Sequence, residues 1–332
     1  MTQREDRVQE FRHLFVAIEE EVSRVIVGHK DVVRKIVTAF FAGGHVLIEG
    51  VPGLGKTLMV KSLSQALGLS FKRIQFTPDL MPADIVGTQV LSEGATDRHF
   101  EFKRGPVFAN IVLADEVNRA TPKTQSAILE AMEEQQVTVF GETYKLDPPF
   151  FVLATQNPIE IEGTYPLPEA QLDRFLFKLI VSPPNSIELS EILARTTTDS
   201  RYQMKQVLPA DQPQWLVEDM KVVVRQVLLA PPLSSYVARL IATATPGNTQ
   251  SVVPEVTQYL RYGPGPRGAQ AITLGAKVNA LLDNRVNVSF DDITDVALPA
   301  LRHRCLLNFQ AEAESVTADQ IVAALLKKVP KK

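Results

Sequence analysis

Short apolar runs alternate with amphipathic stretches over the first half of the chain, and only amphipathic stretches follow. The runs His45–Glu49, Phe71–Phe76, Ile111–Ala114, Phe150–Thr155 and Leu176–Val181 have the length of strands. Ile111–Ala114 and Phe150–Leu153 are continuously apolar, as strands buried on both faces are. Thr57 through Leu67 reads as a helix, with Leu58, Met59, Leu63, Ala66 and Leu67 as its apolar stripe and Gly68 as its stop. Thr121-Pro122 opens another, a hydroxyl cap before a first-turn proline. It carries Ile128, Leu129 and Met132 inward and ends near Glu133-Glu134. The alternation predicts an α/β fold, a parallel sheet with covering helices.

After Ser182-Pro183-Pro184 the β signal stops. Trp215, Leu216, Met220, Val223 and Val227 form one helical stripe, and Ser289 with Asp292 and Thr317 with Gln320 are spaced as capping boxes. The expected division is therefore an α/β domain over 1–182 and an all-helical domain over 183–332. Two segments read as insertions in the first domain. One follows Asp84-Ile85-Val86-Gly87 and runs to about Arg104, turning at Ser92-Glu93-Gly94. The other, Val137 to Leu146, reads as a β-hairpin centred on Gly141-Glu142, with Phe140 or Tyr144 near its tip.

Composition adds exclusions. With 45% apolar and 22% charged residues, 332 residues suffice for two domains and a sizeable core. A net charge of −3 gives no overall pull towards nucleic acid or an anionic membrane. The lone cysteine, Cys305, excludes an internal disulfide and reads as a small buried hydrophobe. The N-terminus is charged, and the longest apolar run, Ile36 to Ile48, is too short to span a bilayer. A soluble, cytoplasmic protein without membrane insertion is expected.

The chemistry centres on Gly50-Val51-Pro52-Gly53-Leu54-Gly55-Lys56-Thr57, which fits the phosphate-binding loop G-x-x-x-x-G-K-[ST] between a strand and a helix. Glycines let backbone N–H groups approach phosphate oxygens, Lys56 reaches the β and γ phosphates, and the Thr57 hydroxyl can ligate Mg²⁺. Asp115-Glu116 ends an apolar strand. Asp115 can hold the Mg²⁺ shell through water, and Glu116 can orient the attacking water; two solvated carboxylates are the alternative. Asn157 ends the next strand, where an amide can meet a γ phosphate, although Asn-Pro is also a common turn. Arg174 reads either as a charge supplied to a neighbour's γ phosphate or as a salt-bridge partner of Asp173 or another acid. Arg267, after Gly263-Pro264-Gly265-Pro266, projects from a helix start towards the first domain or is simply solvated.

Together these stretches resemble the AAA+ ATPases and, within them, the MoxR family. The resemblance is carried by Val27-Gly28-His29, Gly50 to Thr57, Ala114 to Ala120, Ala154 to Pro158 and Gly163 to Phe175, and it covers nearly the whole chain. It implies that Asn157 is sensor 1, Arg174 the arginine finger and Arg267 sensor 2, with Val27 and Gly28 near the adenine. The expected nucleotide contacts are then Val27, Gly28, Gly50, Pro52, Gly53, Leu54, Gly55, Lys56, Thr57 and Leu58, with Thr57 and Asp115 on the metal. ATP and Mg²⁺ are the implied cofactors, and a hexameric ring with sites between subunits the implied assembly. The insertions match the helix-2 insert and pre-sensor-1 hairpin of that branch. Gly265, where a small residue such as Ser is usual, is the one departure and bears on lid mobility. Arg119 is open between a neighbouring subunit and an acid of its own helix.

The resemblance further implies chaperone-like work on protein complexes, often with a von Willebrand factor A domain partner. Helicase relatives share both insertions, so a nucleic-acid motor is the alternative. Lys103, Arg104 and Lys145 supply positive charge in or near the insertions, but no basic tract supports that reading, so no nucleic-acid partner is expected. A small-molecule kinase would leave Arg174, Asn157 and the helical domain unexplained, and a nucleotide-sensing scaffold would make Glu116 dispensable.

Overall fold

The computed structural model describes residues 3–93, 98–158, 163–198, 202–247 and 252–331. A five-stranded parallel sheet lies at its centre. Its strands are β1 (His45–Glu49), β2 (Phe71–Gln75), β3 (Ile111–Asp115), β4 (Phe151–Gln156) and β5 (Phe175–Ile180), in the order β2-β3-β4-β1-β5. All five expected strands are present, with ends moved by one residue at most. Pairing explains the shifts. Asp115 lies opposite Gln75, Gln156 opposite Glu49 and Phe175 opposite His45, so each belongs to the ladder.

Side chains alternate across the sheet and feed two cores. On one face, Leu47, Val112, Ala114, Val152 and Ala154 pack with Ile128, Leu129 and Met132 of the helix Pro122–Glu134. On the other, Val46, Ile48, Leu113, Phe151 and Leu153 join the helices Gln3–Val25, Lys30–Ala42 and Lys56–Leu67. Phe11, Phe15, Phe40, Phe41 and Phe151 meet there, with ring centroids 5.2–6.1 Å apart. Burying each such ring contributes about 1.5–3 kcal/mol. This second core continues into the C-terminal helices Pro213–Gln226, Pro266–Leu282 and Phe290–Leu301. The helix Pro266–Leu282 crosses β5 closely enough that a Cβ on Gly275 would lie 2.8 Å from the Phe177 ring. That contact fixes where the helix start, and so Arg267, is placed.

Both insertions are antiparallel ribbons. Gly87–Glu93 pairs with Arg98–Arg104; Ser92 and Glu93 still lie opposite His99 and Arg98, so they are strand rather than turn, and Gly94 lies outside the described residues. Gln136–Val139 pairs with Glu142–Lys145. Its turn is Phe140-Gly141, both at positive φ (51° and 86°), one residue earlier than expected, because Glu142 pairs with Val139. Tyr144 is not at the tip. It stacks on Phe102 of the first ribbon at 4.2 Å and ties the two insertions together, whereas Phe140 is 73% exposed.

The C-terminal part departs from expectation at two points. Leu260–Tyr262 pairs with Leu306–Leu307 as a small ribbon amid the helices. Trp215, expected in the buried stripe, is 62% exposed in the first turn of its helix, and Val217 and Val224 take up the buried face with Met220 and Val223. Both capping boxes are present. Cys305 is buried, and desolvation pushes its thiol up to about 12, which makes it inert. Among the described residues no helix is long and apolar enough to cross a membrane.

Candidate nucleotide-binding site

The glycine-rich loop leaves β1 and enters the helix Lys56–Leu67. Gly50 passes so close to the chain after β5 that a Cβ would lie 2.8 Å from the Val181 carbonyl oxygen. Gly53 (φ 83°) and Gly55 (φ 76°) take left-handed conformations that a side chain would strain. Gly55 is the N-cap and offers no side-chain acceptor, so no side chain caps the helix's first amides there. Lys56 is buried, and its Nζ donates to the Gly50 carbonyl at 2.5 Å. Burial lowers its pKa, against the opposing charges of Asp115 and Glu116. A buried ammonium beside uncapped helical N–H groups is a cradle for an anion such as a polyphosphate. Thr57 and Leu54 are half-buried and Pro52 is exposed; Leu58, expected in the helix's buried stripe, faces outward at the rim.

Asp115 and Glu116 are held in different ways. Thr155 on β4 is the hinge between them: its hydroxyl donates to Asp115 Oδ1 at 2.6 Å and accepts the Glu116 N–H at 2.8 Å. Asp115 Oδ2 accepts Arg73 Nε at 3.0 Å and Nη2 at 2.7 Å. Glu116 is left-handed (φ 58°), which turns its side chain off the strand axis. Its Oε2 accepts Gln75 Nε2 at 2.8 Å and Arg119 Nη1 at 2.9 Å. Arg119 thus pairs with an acid of its own chain. Asn157 is buried just beyond the end of β4, next in line with these groups.

Thr57 and Asp115 offer oxygen ligands, the donor class that Mg²⁺ takes. Among the described residues no group of three or more His, Cys, Asp or Glu side chains forms a metal cage. This donor set fits an ion that keeps waters and phosphate oxygens as its remaining ligands. Val27 and Gly28 line a cleft of about 380 Å³ with Lys30, Glu191 and Arg195. A Cβ on Gly28 (φ 69°) would lie 2.7 Å from Glu188 Oε1, so glycine there lets the helix Ser186–Thr196 approach.

Arg174 and Arg267 lie elsewhere. Arg174 immediately precedes Phe175, which pairs with His45, the first residue of β1; the phosphate loop follows the last residue of the same strand. At about 3.3 Å per residue the two are roughly 15 Å apart along the sheet, further than an extended arginine side chain reaches. Arg174 Nη2 lies 2.8 Å from Glu133 Oε2, at the C-terminus of the helix Pro122–Glu134. Arg267 pairs with the other oxygen of Glu133. Both line a cavity of about 270 Å³ with Gly43, Gly44 and Arg304. Asp173, the alternative partner for Arg174, is taken by Arg304 Nε at 2.6 Å. The structure therefore splits the candidate residues into two groups: Lys56, Thr57, Asp115, Glu116 and Asn157 at the C-terminal end of the sheet, and Arg174 with Arg267 at its N-terminal edge. Arg73, Gln75, Thr155 and Glu133 were not singled out in the sequence. Thr155, a hydroxyl in a mostly apolar strand, and Glu133, at an acidic helix end, carry a visible signal.

The family model described as "ATPase family associated with various cellular activities (AAA)" matches residues 45–177, and one described as "AAA lid domain" matches residues 255–325. The chain is 43% identical to the uncharacterized protein YeaC of Bacillus subtilis, over 93% of this chain and 92% of that one. It is 41% identical to Chaperone MoxR1 of Mycobacterium tuberculosis, over 93% and 80%. It is 26% identical to Protein MoxR of Methylorubrum extorquens, over 97% and 96%. A solved structure from Cytophaga hutchinsonii, described as a candidate ATPase, superposes with a TM-score of 0.89 at 39% identity, covering 98% of this chain and 97% of that one.

Proposed function

The chain belongs to the MoxR-type AAA+ ATPases, and from that premise we propose that it hydrolyses ATP in a ring of like subunits to remodel protein assemblies. ATP is bound at Gly50 to Leu58, with the adenine towards Val27 and Gly28. Lys56 and the first amides of its helix hold the phosphates. Thr57 and Asp115 would hold Mg²⁺, which when bound would neutralise charge on the phosphate oxygens. Arg73 and Thr155 fix the Asp115 carboxylate. Glu116 orients the attacking water and takes its proton, with Gln75 and Arg119 setting the carboxylate's direction. Asn157 donates from the end of β4.

The observation that carries the ring is the separation of the arginines from their own loop. Two guanidinium groups on one carboxylate, beyond reach of the site in the same chain, supply positive charge to the phosphates of an adjoining subunit. Glu133 holds them until that subunit arrives. A hexamer and a von Willebrand factor A domain partner are what the family resemblance supports; a cytoplasmic setting rests on the lone cysteine, which fits a reducing compartment, and the 182/183 division of domains on the end of the strand pattern at Ser182-Pro183-Pro184. Chaperone work on protein clients follows the name of the Mycobacterium relative. Nothing among the described residues favours the nucleic-acid motor; of Lys103, Arg104 and Lys145 on the insertions, Arg104 already lies over the Phe108 ring at 5.0 Å.

Arg174→Ala tests this reading. It should leave ATP affinity within a few-fold of the parent and lower kcat by about 10³–10⁵. Turnover near the parent's, or loss of ATP binding instead of turnover, would refute it.

A further inference from the structure

Arg174 is one residue in a turn whose two neighbours are gripped from the helical part of the chain. Arg304 is nearly completely buried, with 3% of its side chain exposed. Its Nε donates to Asp173 Oδ1 at 2.6 Å, and its Nη2 donates to the carbonyls of Asp173 and Phe175, each at 2.8 Å. Its Nη1 donates to Leu176 O at 3.2 Å and to Ala300 O. His303, next to it, places Nε2 3.0 Å from the Phe175 carbonyl. Burial disfavours the charged guanidinium and Asp173 opposes that penalty. A buried, charged side chain bonded at so many points holds one geometry. It holds it on Asp173, Phe175 and Leu176, the residues that flank Arg174. Arg304 belongs to the segment matched as the AAA lid, as does Arg267.

We propose that Arg304 is a positioning residue for Arg174: it locks the Asp173–Phe175 turn to the helical lid, so that a subunit's lid and the arginine it offers to its neighbour move as one body. The proposal rests on the shared-site reading above. It gives the lid a task at the adjoining subunit's site, because any lid rotation is felt there. Arg304 touches no phosphate itself. Lysine at 304 keeps the charge facing Asp173 but cannot bridge the Asp173, Phe175 and Leu176 carbonyls.

Arg304→Lys should bind ATP within about twofold of the parent, since its own phosphate loop is at the other end of the sheet. Its kcat should fall by about 10–100-fold, the scale of a misplacement near 1 Å. The informative readout is complementation in mixed rings. Lys56→Ala subunits lack a working loop but carry a well-placed Arg174. Arg174→Ala subunits have the loop but offer no arginine. Arg304→Lys should gain ATPase activity above its own reduced level when mixed with Lys56→Ala and show no gain with Arg174→Ala, behaving as a donor-side defect. Recovery with Arg174→Ala instead, recovery with neither, or parental kcat in Arg304→Lys alone would overturn the proposal. Mixing Lys56→Ala with Arg174→Ala is the control. If that mixture stays dead although subunit exchange is seen by mass spectrometry, the shared-site reading itself fails, and the positioning role falls with it. If Arg304→Lys does not fold, Asp173→Asn, which keeps an oxygen for Arg304 Nε, takes its place with the same expected grouping. Failure of both to fold would make the pair merely structural and overturn the proposal.

Discussion

Thr155→Val isolates the hydroxyl that joins the two candidate catalytic carboxylates. Thr155 is fully buried, and valine matches its shape, so the change removes polarity and little volume. Asp115 Oδ1 loses a donor at 2.6 Å, a charge-assisted bond of about 1.5–3 kcal/mol. The Glu116 N–H loses its acceptor at 2.8 Å, which costs about 1–3 kcal/mol when nothing replaces it. The added methyl offsets about 0.8 kcal/mol, leaving a net loss of roughly 2–5 kcal/mol. Thr155→Ser keeps both bonds and loses only a methyl group, at about 1 kcal/mol. Denaturant unfolding of the three proteins under one set of conditions measures the stability part. Steady-state ATPase assays measure the other part: kcat of the valine variant should fall by about 10²-fold, as expected for a misplaced catalytic group, while the serine variant stays within a few-fold. A valine variant as stable and as active as the serine variant would refute the claim that this hydroxyl sets the geometry of Asp115 and Glu116.

Three further outcomes are expected. Glu116→Gln should bind ATP and Mg²⁺ but stop turning over, because an amide cannot accept the proton of the attacking water; filter-bound ATP persisting for many parental turnover times is the measurement. His45 is buried, with Nδ1 accepting the Val152 N–H and Nε2 facing Met132 O, and desolvation lowers its pKa to about 4. The folded state therefore resists protonation that the unfolded chain accepts below about 6.5, so this penalty is absent above pH 6.5 and grows as pH falls towards 4, reaching about 3 kcal/mol. Urea midpoints measured from pH 7 to 4.5 should fall, and His45→Asn should flatten part of that slope; an unchanged slope would remove His45 from the account. Phe140→Gly should relieve a left-handed residue and stabilise the protein by about 1 kcal/mol, with basal ATPase unchanged; a loss of about 3–5 kcal/mol, the cost of emptying a core site, would show that the ring is structural.

The sheet was legible because its strands are apolar runs bounded by turn residues, and the phosphate loop because its chemistry is carried by consecutive residues. Contacts that depend on register were not. Arg73 and Gln75 meet Asp115 and Glu116 only because β2 lies beside β3 with Gln75 opposite Asp115. Glu133 was visible as an acidic helix end. That it gathers Arg174 and Arg267 follows from where β5 starts and how closely the helix Pro266–Leu282 crosses it at Gly275. Tyr144 reads as a hairpin aromatic like Phe140, and only the facing Phe102 separates their roles. Trp215 sits at a first-turn position, where the apolar stripe has no core to meet.

The shared site is tested most directly by determining the structure of the Glu116→Gln protein assembled with ATP and Mg²⁺. The account predicts nucleotide on the Gly50–Thr57 loop, with Arg174 and Arg267 of the adjoining subunit released from Glu133 and turned onto its γ phosphate. Nucleotide enclosed by one chain alone, with both arginines still on their own Glu133, would contradict it.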